Sequence, residues 1–482
     1  MTLEEQLAQL QNDYAQLEAK AASQAALIAQ LIERIQTLEA RLSQDSHNSS
    51  KPPSSDGFKR SPKKRSLRKS SGKKPGGQPG HEGQALKQSE NPDTVIAHLP
   101  TTCEKCQTDL TKEAALPHFE PRQVFELPTQ LKLHVTEHRT YSKKCPTCQT
   151  VTKAKFPQSV KNWVQYGPGF RALAVYLITY QLLPYARVCE LLNEIYSESL
   201  SPGSLVNMIA ECYEQLAEPE KTIKTALTQV KVLHCDETGL YVEGKRHWLH
   251  VASTPHLTHY AHHLRRGSKA TDEIGILPAF QGAAIHDGWS NYLRYACTHG
   301  LCNAHHLREL AFVHEQLKQA WAAEFTTLLV DLKEEVEVAR ARSETSLSSA
   351  RLAHFEERYQ QLIAQGLAAN PPPQGGWPCG KRGKPRQSKP KNLLDRLDKQ
   401  RHQVLLFAYR FDVPFDNNLA ERDIRMVKVQ QKVSGCFRSQ EGASFFCRIR
   451  GYLSTMKKQG ENLLVALLDT FCGQPPLPKL LV

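Results

Sequence analysis

The sequence predicts a multidomain α/β protein, and three features carry that expectation. A heptad run opens the chain, two Cys-x2-Cys pairs follow, and beyond about residue 227 the apolar period switches from helical to strand spacing. At 482 residues the chain is long enough for several independent cores. Its formal net charge of +13, gathered in patches, favours a polyanionic partner, nucleic acid rather than a membrane. There is no run of eighteen apolar residues and no apolar signal core, so the expected place is the cytoplasm.

Leu3, Leu7, Leu10, Tyr14, Leu17, Ala21, Gln24, Ile28, Leu31, Ile35, Leu38 and Leu42 alternate spacings of four and three without a break. That is a coiled-coil seam, expected over residues 1–45, and it predicts self-association as a homodimer or larger assembly. Residues 46–92, which include "KPPSSDGFKRSPKKRSLRKSSGKKPGGQPGHEG", are rich in Pro, Gly, Ser, Lys and Arg and read as a disordered basic linker able to touch phosphates. In residues 93–155, Cys103, Cys106, Cys145 and Cys148 bracket two alternating segments, "RQVFELP" and "LKLHVTEHRTY". Two knuckles flanking a strand hairpin would bring four thiolates together as a structural Zn²⁺ site of zinc-ribbon type. His134 and His138 between them are expected at the surface.

Residues 156–226 read as helices, and "YARVCELLNEIYSESLSPGSLVNMI" has the cadence of a DNA-binding helix-turn-helix, with plain helical packing as the alternative. Strands are expected from "QVKVLHCDETG", "LYVEGKRHWLHVAST" with its Gly turn, "THYAHHL" and "GAAIHDGWSNY". Asp236 and Asp287 are each placed just past a short apolar strand. Residues 300–404 are mainly helical with a basic loop around 370–391, residues 405–460 close the domain, and 461–482 form a tail.

In "FDNNLAERDIRMVKVQQKVSGCFRS", a helix puts Glu421, Arg425, Lys428 and Lys432 on one face and Leu419, Ile424 and Val427 on another. Glu421 is then either one half of an acid-to-base pair on a solvated face or a carboxylate set among groups that grip phosphate. Two strand-end aspartates and a helical glutamate are hard oxygen donors suited to Mg²⁺ or Mn²⁺. A pair of such ions, about 3.5–4 Å apart, suits in-line phosphoryl transfer.

"NSSKPPSSD", "GGQPGHEG", the paired cysteines, "HCDETG", "HDGWSNY" and "DNNLAERDIRMVKVQQKVSGCFRS" together resemble the insertion sequence 66 family of bacterial transposases, in order and over nearly the whole chain. The resemblance implies an RNase H-like catalytic domain, its first part in residues 227–299 and its last in 405–460, interrupted by the helical insertion. It makes Asp236, Asp287 and Glu421 the catalytic acids and ligands of Mg²⁺ (or Mn²⁺), with two ions per site. Arg422, Arg425, Lys428 and Lys432 would bind DNA phosphates. The implied activity is cleavage of element ends and their joining to target DNA. The alternatives are a zinc-containing repressor without catalysis and a nuclease that cuts without joining. "CNAHHLREL" departs from the family pattern, so Cys302 and His305 are either a local metal or DNA contact, or a buried helix cap. Glu237 and Asp423, turned away from their catalytic neighbours, are expected to be dispensable.

Overall fold

The computed structural model describes residues 3–45, 47–49, 88–118, 120–127, 131–197, 199–372 and 387–480. The heptad run forms one helix, α1 (Leu3–Leu42), whose seam side chains Leu7, Leu10, Tyr14, Leu17, Ile28, Leu31, Ile35 and Leu38 are exposed. Most of the expected basic linker, and the core of the basic loop at 373–386, lie outside the described residues.

The cysteine region differs from expectation. Residues 122–127 and 131–141 form no strand, and Val124, Phe125 and Val135 stay exposed, because nothing packs on the apolar side of the alternation. Two short antiparallel strands, β1 (Ser142–Lys144) and β2 (Val151–Lys153), flank the second knuckle instead. The two knuckles share one geometry. The amide of the first Cys bonds the carbonyl of Thr108 or Thr150 at 2.9 Å, and Gln107 and Gln149 take left-handed φ of 60° and 59°.

Helices α2 (Pro168–Val175), α3 (Tyr185–Tyr196), α4 (Pro202–Gln215) and α5 (Ala217–Leu227) follow, with a π-helical turn at Tyr176–Tyr180. After them comes a five-stranded sheet in the order β5-β4-β3-β6-β7. Its strands are β3 (Val232–Val242), β4 (Lys245–Ser253), β5 (Thr258–His263), β6 (Ala283–His286) and β7 (Thr298–Leu301). The first three are antiparallel, while β3, β6 and β7 run parallel. Glu243 and Gly244, both at positive φ (52° and 72°), make the tight turn that the Gly signalled. Helix α6 (Ser268–Ile274) lies between β5 and β6.

After β7 come α7 (Asn303–Leu317), α8 (Ala320–Ala341), α9 (Ser349–Ala369), α10 (Lys389–Lys399) and α11 (Arg401–Tyr409). They share one apolar core with Ala283, Ile285 and Leu301 of the sheet, so the insertion is not a separate body. Boundaries at 300 and 404 would cut β7 and α11. Helices α12 (Asn418–Ser434) and α13 (Gln440–Lys458) cover the other face, where Gly451 lets α13 approach β5 until a Cβ would lie 3.2 Å from the Thr258 carbonyl. The tail reading fails: Leu463–Phe471 is a helix, α14, that buries Leu463, Ala466, Leu467 and Phe471 against α2, α4 and α13. That same core holds Leu205, Met208, Ile209 and Cys212 of α4, a packed face that both readings of the helix-turn-helix cadence share. Among the described residues no helix is long and apolar enough to cross a membrane.

Candidate active site

Alternation along β3 sends Leu233 and Cys235 into the core beneath α5 and α6, and Leu240 and Val242 into the core beneath α12 and α13. Asp236 is not past the strand end, as expected, but within the strand. Antiparallel pairing with β4 runs on to Val242, whereas parallel pairing with β6 stops at His234. Asp236 therefore lies just beyond the last β3–β6 rung. Asp287 is the first residue after β6.

Glu421 sits in the first turn of α12. Burial pushes the Asp236 carboxyl well above the usual carboxylate range, and the charges of Glu237, Asp287 and Glu421 push it further. Asp236 thus lies near enough to Asp287, and to Glu421 far along the chain, to feel both charges, although among the described residues the three acids are not gathered within 4.8 Å of one another. Among the described residues neither Asp236 nor Asp287 has an ion-pair partner. A buried acid crowded by acids, with no protein cation opposite, is a donor set that suits a hard divalent cation.

Each acid is held from behind. Asp236 Oδ1 accepts the Glu237 amide at 2.8 Å, and Asp287 Oδ1 accepts the Trp289 amide at 2.9 Å. The Gly288 amide donates to His286 Nδ1 at 3.1 Å, which leaves His286 Nε2 to donate to His299 Nδ1 at 3.1 Å. His299 Nε2 donates onward to the Tyr295 carbonyl at 3.0 Å, so one relay of neutral imidazoles fixes the Asp287 turn. Burial, and the nearby His299, pull His286 down to about 3, which keeps the relay uncharged.

On the Glu421 side, Cys302 Sγ, His305 Nδ1 and Arg308 Nη2 lie 4.0, 3.8 and 3.5 Å from Glu421 Oε1. Among the described residues Cys302, His305 and Glu421 form the one group of three such ligands within 4.8 Å of one another. The four knuckle cysteines are not gathered that closely. Cys302 is the N-cap of α7; burial and the Glu421 charge push its thiol up to about 12, so it stays protonated while its sulfur accepts the Asn417 amide at 3.2 Å. Burial at the helix start fits the cap expectation, while the grouping with His305 and Glu421, and a His305 Nδ1 without a hydrogen bond, fits the local-metal one.

A model of the IS66 transposase family matches residues 163–445, more than half of the chain. The chain belongs to the IS66 transposase family. For an IS66 transposase the partner is DNA, and the matched span contains all three acids. A family of unknown function matches residues 3–87, and no curated protein matches the chain.

Helix α12 of this transposase presents Arg422, Arg425 and Lys432 exposed. Lys428 is exposed as well, and its Nζ donates to the Gly239 carbonyl of β3. Glu237 and Asp423 are not idle either. Glu237, with a side chain 1% exposed, binds Arg266 Nε and Nη2 at 2.9 and 2.5 Å and accepts the Tyr292 hydroxyl. Asp423 pairs with Lys458 at 2.8 Å. Strand and helix geometry did turn both away from Asp236 and Glu421, but towards the cations Arg266 and Lys458 rather than into open solvent.

The residue that sequence reasoning missed is Asn417, 1% exposed. Its Oδ1 accepts from His234 Nδ1 and its Nδ2 donates to the Cys235 carbonyl, both at 2.8 Å, which ties the start of α12 to the strand of Asp236. The "DNN" ahead of the helix was the available signal, since Asn beside a helix start has side-chain bonds to make.

Proposed function

We propose that this transposase cleaves the ends of its element and joins them to target DNA by phosphodiester transfer at a divalent-metal site held by Asp236, Asp287 and Glu421. The observation that supports the reading is the buried Asp236 carboxyl, raised by burial and by the charges of Asp287 and Glu421, with no ion-pair partner for either aspartate among the described residues. Strand order 5-4-3-6-7, three antiparallel and two parallel, supports an RNase H-like core. Mg²⁺ or Mn²⁺ bound there, two ions by the donor count, would provide an acidified water and charge neutralisation at the entering and leaving oxygens. Asp236 and Asp287 present oxygens from adjacent parallel strands. Cys302 and Arg308 orient Glu421 from the far side, and Arg422, Arg425 and Lys432 bear on DNA phosphates. The test is an assay with labelled element ends and a target plasmid in Mg²⁺. Cut and joined products support the reading, cut ends alone indicate a nuclease, and neither product indicates a DNA-binding repressor.

Two further parts belong to this reading. The knuckles of Cys103, Cys106, Cys145 and Cys148 take one structural Zn²⁺, drawn together by the metal itself. Hydrogen bonds with Thr150 and Cys145 lower the Cys148 thiol to about 7, and those with Thr108 and Cys103 lower the Cys106 thiol below its ordinary value, which favours thiolate ligands at these two positions. The purified chain is expected to carry about one zinc, and Cys148→Ser to lose it. Elemental analysis that finds equal zinc in both proteins counts against the site.

The exposed seam of α1 pairs with a second copy. Deletion of residues 1–45 is expected to lower the mass measured by light scattering. A full-length chain that stays monomeric at every concentration contradicts the pairing.

A further inference from the structure

Beside the acids, four side chains from separate segments of the domain interleave. Arg246 and Trp248 come from β4, Arg266 from the loop after β5, and Trp289 from the turn after β6. The Arg246 guanidinium lies 4.6 Å from the Trp248 ring, Arg266 lies 4.9 Å from the same ring, and Arg266 lies 4.2 Å from Trp289. Two cations and two indoles thus make one alternating ladder. Glu237 fixes the inner cation by two bonds to a single oxygen, and Gly239 makes room for the outer one, since a Cβ there would lie 3.2 Å from Arg246 Nε.

The ladder is joined to the site at both inner rungs. Glu237, which grips Arg266, follows Asp236, and the amide of Trp289 donates to Asp287. At its outer end Gly239 separates Arg246 from Lys428, whose Nζ bonds the Gly239 carbonyl, so the ladder continues the basic face of α12 across the sheet. The Arg266 side chain is 39% exposed and its Nη1 donates to nothing among the described residues. Arg246 is exposed and has no ion pair among the described residues. Core packing does not require cations at the surface between indoles. A fork held flat and aimed outward is pre-organised for a phosphodiester.

We propose that Arg246, Trp248, Arg266 and Trp289 form a second DNA-backbone subsite, which extends the basic face of α12 across the sheet and seats phosphates of the strand entering the acids. This rests on the reading of the acids as the cleavage site. Arginines supply the contact, and the indoles set where the arginines stand.

The test measures binding of fluorescein-labelled duplex DNA in EDTA across a salt series, where no cleavage occurs. Arg246→Gln and Arg266→Gln should each reduce the slope of log affinity against log salt by about one, because each removes a phosphate contact. Trp248→Leu keeps both charges, so it should hold the slope while lowering affinity several-fold. Arg246→Gln touches no buried group, so it guards against a folding defect in the Arg266 variant. Unchanged slopes in Arg246→Gln and in folded Arg266→Gln overturn the subsite, as does a Trp248→Leu protein that binds like wild type. The acid reading fails separately, by Glu421→Gln protein that still cleaves in Mg²⁺, and that outcome leaves the EDTA binding result in place.

Discussion

Glu421→Gln is expected to lower Mg²⁺-dependent cleavage and joining by roughly 10³-fold or more, while DNA binding in EDTA stays near wild type. The substitution keeps the shape of the side chain and removes the charge that Arg308 faces at 3.5 Å. Asp236→Asn and Asp287→Asn should fail to the same degree, and any pair of the three should fail little further, because the acids act as one unit. The comparison that gives the result its meaning is with neighbours, and the structure changes which neighbours serve. Glu237→Gln is no control, because it strips the buried partner of Arg266 and Tyr292. Asp423→Asn likewise leaves Lys458 without its carboxylate. Both should cost stability. Arg425, exposed on α12, is the better comparison: Arg425→Gln should weaken DNA binding without removing chemistry. Cleavage by Glu421→Gln at near wild-type rate would make α12 a DNA-facing surface with one stray acid.

How much of this could be read in advance follows from the kind of signal each residue leaves. The strands around Asp236 and Asp287 were legible because short apolar runs bounded by Gly and charged residues have few other uses. The end of β3 was misjudged because "DETGLYV" looks like a polar exit. In the fold β4 pairs along it, and Leu240 and Val242 bury beneath α12. Alternation between the knuckles was equally clear in the sequence, yet it gave no strands, since a period of two needs a layer to cover one face. α14 was overlooked because "NLLVALLDTF" is short. Its apolar face acquires meaning through α2, α4 and α13, which are distant in sequence. Local pattern carries the elements, then, and the contacts between distant elements carry the site.

Asn417 shows this most sharply, and it gives the second large effect. Asn417→Ala removes the side-chain bonds to His234 Nδ1 and the Cys235 carbonyl, leaving a buried donor and a buried acceptor unpaired. Each orphan costs about 1–3 kcal/mol, so a loss of roughly 2–6 kcal/mol is expected in a urea melt. A stability loss alone would say little about function. Asn370→Ala is therefore the matched comparison: Asn370, 7% exposed, also bonds through its amide, to Gln319 at 2.8 Å and to the Gly366 carbonyl at 2.9 Å, but within the helical insertion. Both variants should melt earlier. In the Asn417 variant, α12 also loses its tie to β3, and Glu421, whose amide bonds the Asn417 carbonyl at 3.2 Å, moves relative to Asp236. A shift of about 1 Å at such a site can cost on the order of 10²-fold in rate. The Mg²⁺ concentration for half-maximal cleavage should rise as well, because Glu421 is no longer held in place relative to Asp236. For Asn370→Ala the Mg²⁺ dependence should stay where it is at temperatures below its melt. If the two variants show the same Mg²⁺ dependence, Asn417 is a core polar group like any other, and the position of Glu421 relative to Asp236 must be held by other contacts, of which the Cys302 sulfur at 3.2 Å from the Asn417 amide is the nearest at hand.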